Sequence, residues 1–175
     1  MLNKLLMLLL LAVMSGRVFA QETKTIDYQS FDITQVGQSV PDFSFITIDG
    51  KKYQLSELRG RTVLLVFFAT WCSPCMRELP LLEKEIWEKY RSENFMVVAL
   101  GRDHSMEEIK EFNAKKGFTF ELGPDPGHEI YGKFFKQYIP RNVLVDKNGI
   151  IIYQRQGYEE KDAAELIELI EKEIL

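Results

Sequence analysis

The chain has two cysteines, and both lie in the tetrapeptide Cys72-Ser73-Pro74-Cys75. Two intervening residues let one thiol close a disulfide onto the other, which is the chemistry of a two-electron redox pair. Exchange with a partner disulfide needs a thiolate that attacks and a second thiol that resolves the mixed disulfide. Cys72 is the expected attacker, exposed at a helix start, and Cys75, one turn in and partly covered, the expected resolver. Ser73-Pro74 suits that place, because proline is favoured at the first helical position, where its missing N–H costs nothing. Other uses of the pair fit less well. A disulfide across so short a stretch gains little as a staple. As metal ligands the two thiols are half a site, and His104 and His128 lack the spacing of a histidine pair. No metal or cofactor is expected beyond the redox-active disulfide Cys72–Cys75.

Such a pair must be aimed by its neighbours. Residues 63–69, Val-Leu-Leu-Val-Phe-Phe-Ala, are apolar on both faces, as a central strand covered by helices on both sides would be. A helical pattern follows to about Ser92, with Cys75, Leu79, Leu82, Ile86 and Tyr90 on one face. A thiol at its start meets the positive end of the helix dipole and free backbone N–H groups, which favour thiolate. Pro80 lies inside and should bend the axis. Glu78, one turn beyond Cys75, has two readings: a proton acceptor beside the pair, or a solvated first-turn carboxylate favoured by the dipole.

The remaining elements follow from pattern and punctuation. Residues 43–48 and 51–55 form a hairpin across Asp49-Gly50, and Ser56 caps a short helical turn ending at Gly60. Residues 95–100 form a strand, and Ser105 with Glu108 makes a capping box for a helix to about Lys116. A short strand is expected over 118–122, a loop over 123–127 and a helix from about Glu129 to Tyr138. Strands over 142–146 and 150–155 turn at Lys147-Asn148-Gly149. A final amphipathic helix from about Glu160 buries Ala163, Leu166, Ile167, Ile170 and Ile174. Phe112, Phe118, Phe120, Phe134 and Phe135 are assigned to the core. His104, a lone loop histidine, is given no role. Trp71 is expected to pack beside the motif and shield it.

At 175 residues, 46% hydrophobic and 27% charged, the chain suits one domain. With a net charge of -4 and no basic run, nucleic acid is not an expected partner. Residues 1–20 carry Lys4, an apolar run over 5–13 and Val18-Phe19-Ala20, the pattern of a secretory signal peptide. An uncleaved N-terminal anchor is the alternative. Residues 21–35 are expected to be a flexible segment and 36–175 the domain. Export implies a periplasmic or other extracytoplasmic location.

Phe68-Ala69-Thr70-Trp71-Cys72-Ser73-Pro74-Cys75, with Pro80 five residues on, resembles the active site of the thioredoxin superfamily. Residues 36–43 (Val-Gly-Gln-Ser-Val-Pro-Asp-Phe), 55–60 (Leu-Ser-Glu-Leu-Arg-Gly) and 139–149 (Ile-Pro-Arg-Asn-Val-Leu-Val-Asp-Lys-Asn-Gly) are similar to its exported TlpA/ResA-like branch. The resemblance implies an α/β, three-layer thioredoxin-like sandwich: a central mixed sheet flanked by helices, with an N-terminal β-hairpin and a central insert. It also implies a cis Ile139-Pro140 bond facing the cysteines, and contact of Trp71, Ser73, Pro74, Ile139 and Pro140 with substrate. Thioredoxins proper carry a buried acid six residues before the first cysteine. That position is Val66 here, and the branch places a glutamate at the position of Glu78 instead. Arg141, where many relatives have Thr or Ser, either meets an acidic partner surface or is simply solvated.

The implied activity is thiol-disulfide oxidoreduction in the reducing direction, on protein disulfides, by a monomer recharged from a membrane thiol donor. Cytochrome c maturation is one implied setting. A disulfide oxidant or isomerase, a peroxiredoxin-like peroxidase and a redox-idle binding module are the rivals. Against the peroxidase, the Pro-x-x-x-Thr-x-x-Cys pattern is absent.

Overall fold

The computed structural model describes residues 27–92 and 94–174, without the side chains of residues 160–162. The expected signal peptide lies outside the described residues.

The apolar run becomes strand β3 (Thr62–Phe68), buried at every residue. It is the middle of a five-stranded sheet of order β5-β4-β3-β6-β7, in which β4 is Phe95–Arg102, β5 Glu121–Asp125, β6 Arg141–Val145 and β7 Ile151–Gln156. β3, β4 and β5 are parallel, and β6 and β7 antiparallel to their neighbours. The hairpin β1 (Ser44–Ile46) and β2 (Lys52–Gln54) forms a separate two-stranded sheet. This is the expected thioredoxin-like arrangement.

Alternation along β3 sorts the core into two layers. Leu64, Val66 and Phe68 face helices α1 (Ser73–Leu81), α2 (Met106–Lys116) and α3 (Glu160–Ile174) through Leu79, Ile109, Phe112, Leu166 and Ile170. Val63, Leu65 and Phe67 face Phe43, Phe45, Leu55, Tyr131, Phe134 and Phe135. The five phenylalanines assigned to the core are all buried. After Pro80 the winding widens to a π-helical stretch, Leu82–Trp87, at whose end the Glu88 N–H bonds the Glu83 carbonyl five residues back. α2 has the expected capping box and ends at Gly117, whose φ of 72° suits glycine.

Four expectations are corrected. The helix over 129–138 is absent: only the 3-10 turns Pro126–His128 and Tyr131–Lys133 form. Its aromatics serve the core instead, and Tyr138 has a φ of 71°, which no helix accommodates. One outer layer is therefore hairpin and irregular chain rather than helix. The loop over 123–127 is in part strand, because β5 starts three residues later than predicted. A Cβ at Gly123 would lie 2.7 Å from the Ile46 carbonyl oxygen, so glycine here serves close approach to the hairpin and not a turn. Ser56 is not a cap. It lies inside the 3-10 turn Leu55–Leu58, and its N–H donates to Asp42.

The fourth correction concerns the N-terminal segment, which from Asp27 onward belongs to the fold. A 3-10 turn (Tyr28–Phe31) leads to a bridge between Asp32 and Phe135, with the Ile33 and Lys136 N–H groups bonded to Phe134 and Phe31 carbonyls. Arg141 explains the attachment. It is 1% exposed, pairs with Asp32 at 2.6 Å, donates to the Gln137 carbonyl at 3.1 Å and lies over the Phe135 ring. It is neither solvated nor available to a partner. A buried guanidinium that loses its counter-ion is costly, so Asp32→Ala is expected to lower unfolding free energy by about 3 kcal/mol. Urea unfolding checks this, and a loss below about 1 kcal/mol would mean that solvent reaches Arg141.

Candidate functional site

β3 ends at Phe68, and four residues later Cys72 is the N-cap of α1, with Ser73 and Pro74 in its first turn. Proline thus occupies the second helical position, where an N–H is equally dispensable. Cys72 and Cys75 are joined as a disulfide. The Cys75 N–H donates to Cys72 Sγ at 3.3 Å, and the Met76 N–H to the Cys72 carbonyl at 3.0 Å. The sulfur thus takes the place that a serine or aspartate oxygen takes in an ordinary N-cap. Cys72 is 5% exposed and Cys75 not at all, so the expected asymmetry holds while the expected exposure of Cys72 does not.

Glu78 is 3% exposed, which excludes the solvated reading. Its Oε1 accepts a hydrogen bond from Asn142 Nδ2 on β6, and Glu78 and Asn142 border a small cavity with Tyr153, Arg155 and Tyr158. Asn142 was missed in the sequence. The available signal was alternation: Asn142 shares a strand face with Leu144, which packs against the helices, so a polar side chain there needs a partner.

Ile139-Pro140 is cis, as expected. Ile139 packs against the core cluster that holds both cysteines, and it lines a surface groove with Trp71, Arg102, Lys136, Gln137 and Tyr138. Trp71 is 70% exposed, so it borders the groove instead of packing over the motif. Pro140 is buried and its carbonyl accepts the Gly157 N–H. Ser73 is exposed, with its hydroxyl bonded to Arg77. His104 is not a free loop residue: it is 5% exposed, and its ring meets Thr70, two residues before Cys72.

A family model described as Redoxin matches residues 35–170. The chain belongs to the Redoxin family. Among relatives of this redoxin, thiol-disulfide oxidoreductase ResA of Bacillus anthracis is 32% identical over 142 residues, 79% of this chain and 82% of that protein. A solution structure from Bacteroides thetaiotaomicron, described as a candidate protein disulfide isomerase, is 37% identical with a TM-score of 0.79, covering 82% of this chain and 92% of that one. The crystal structure of a candidate thiol:disulfide interchange protein DsbE from Chlorobium tepidum is 28% identical with a TM-score of 0.70, covering 81% and 99%. This redoxin is a ResA-like thiol-disulfide oxidoreductase of the thioredoxin superfamily. Among the described residues no group of three or more His, Cys, Asp or Glu is arranged to hold a metal, and no helix is long and apolar enough to cross a membrane.

Losing a hydrogen-bond donor is costly for a buried carboxyl, so Asn142→Ala is expected to cost about 1–3 kcal/mol in denaturant unfolding. Unchanged stability would mean that Glu78 does not depend on Asn142.

Proposed function

We propose that this redoxin is an exported reductant of protein disulfides, with Cys72 as attacking thiol and Cys75 as resolving thiol. The observation that carries the reading is Cys72 Sγ at the N-cap of α1. On reduction, a thiolate there faces the helix's positive end and receives a backbone N–H. The Cys72 thiolate attacks one sulfur of a substrate disulfide, forming a mixed disulfide and expelling the other sulfur as thiolate. Cys75, deprotonated, then attacks Cys72 Sγ, re-forming the Cys72–Cys75 bond and releasing the second substrate thiolate. Two electrons have passed to the substrate.

Glu78, one helical turn from Cys75 and buried, is the acceptor of the Cys75 proton. The substrate chain lies along the groove, against Trp71, Ser73, Pro74, Ile139 and Pro140. A membrane thiol donor returns the pair to the dithiol, and the protein acts as a monomer. The 1–20 pattern supports export, and the likeness to ResA and DsbE proteins supports a place in cytochrome c maturation, keeping haem-attachment cysteines reduced. The Ser-Pro dipeptide resembles those of reductive relatives. Protein disulfide isomerisation is the second reading, favoured by the likeness to the Bacteroides thetaiotaomicron structure.

Equilibration with thiol buffers is expected to give a reduction potential of about -270 mV or lower, and a value towards about -120 mV would make the protein an oxidant. Cys72→Ser is expected to abolish exchange, whereas Cys75→Ser should accumulate mixed disulfides. If Cys75→Ser instead reshuffles scrambled disulfides catalytically, the isomerase reading gains. Glu78→Gln is expected to change the pH profile of exchange; an identical profile would sink the role given to Glu78.

A further inference from the structure

His104 follows β4 and immediately precedes Ser105, the N-cap of α2. The pairing of Phe68 with Gly101 brings the ends of β3 and β4 level, so the turn after β4 lies beside the chain that runs from Phe68 to Cys72. The ring has a prepared seat. A Cβ at Gly101 would come within 2.2 Å of Ile109 Cδ1 and 3.3 Å of His104 Cδ2, so the missing side chain is what admits both.

The Thr70 N–H donates to His104 Nε2 at 3.0 Å, and Thr70 Oγ1 lies 3.3 Å from the same nitrogen. A backbone N–H can only donate, so Nε2 carries the lone pair and the ring proton is on Nδ1. Nδ1 is buried, with no hydrogen-bond partner among the described residues. The carboxylate of Glu108, fixed by the capping box, lies 3.6 Å from it and favours the proton there.

The N–H held by His104 belongs to the same peptide unit as the Ala69 carbonyl, and that carbonyl accepts the Cys72 N–H at 3.1 Å. One amide plane is therefore gripped at both ends, by the imidazole and by the backbone of the cysteine itself. Donation to His104 polarises the unit and strengthens its carbonyl as an acceptor. We propose that His104 is a positioning residue for disulfide exchange, setting the Cys72 backbone, and with it the sulfur at the N-cap, through the Ala69–Thr70 peptide. The proposal rests on the reading of Cys72 as the attacking thiol.

The test compares reduced wild type, His104→Leu, His104→Gln and Cys72→Ser in their rate of attack on a small aromatic disulfide. Reduction potential and thermal midpoint are measured alongside for the variants that keep both cysteines. His104→Leu is expected to slow attack about three- to tenfold, the worth of one such hydrogen bond, and to shift the potential. His104→Gln, whose amide oxygen can take the place of Nε2, should recover most of both. A leucine variant with a lowered midpoint but wild-type rate and potential would overturn the proposal, leaving His104 a packing residue. Should His104→Leu not fold, amide exchange of Thr70 in the wild type decides. Strand-like protection supports the proposal, and exchange at the rate of a free loop overturns it. Cys72→Ser separates the two levels: if it still exchanges, the attacker was misassigned, whatever His104 does.

Discussion

A helix leaves its first backbone N–H groups without partners inside the helix, and in this fold a sulfur atom meets that need. The bond from the Cys75 N–H to Cys72 Sγ binds the reactive pair to the geometry of α1. Any error in where α1 begins is an error in where the sulfur points. Leu79, Leu82 and Ile86 hold the helix against the sheet with almost no exposure, and β3, buried throughout, fixes the chain entering from the other side. Chemistry is therefore delivered between two rigid elements joined by the short turn 69–71, with little of the tolerance a long loop would bring.

Much of this was legible because it is written in local pattern. A seven-residue apolar run and a capping box each have one physical interpretation, and the structure agrees with both; the motif proline falls one position later than expected, and the last helix buries Leu166 and Ile170 but leaves Ala163, Ile167 and Ile174 half-buried. The misreadings occurred where residues serve distant partners. Gly123 and Pro124 look like turn residues, but the glycine makes room for the hairpin and the proline sits in an edge strand, which tolerates it. The segment around Tyr131 carries aromatics at near-helical spacing, yet those rings fill the space opposite Phe67, and burying them outweighs the local preference for helix.

The site divides in the same way. The cysteines, the cis-proline and the place of Glu78 one turn beyond the pair are visible in spacing or in likeness to a family, while the burial of Glu78 is not. Asn142, His104 and Arg141 are not, since each derives its meaning from a residue far along the chain: Glu78, Thr70 and Asp32. A lone polar residue in a loop has no local signature that separates a solvated side chain from a buried one with a partner, and in a strand it has only the face it shares with its neighbours.

The treatment of the sheet's two borders has a further consequence. On β5 the Leu122 carbonyl is taken by the Ile48 N–H, outside the sheet, and Pro124, two residues on, has no N–H to offer. On β7, Gly37 and Gln38 occupy the backbone of Ile151. An open border would be a template for any extended chain that came near. An enzyme that must release the proteins it touches has instead closed part of each border. Adhesion to its clients is thereby limited, and an encounter can end when the sulfur chemistry does.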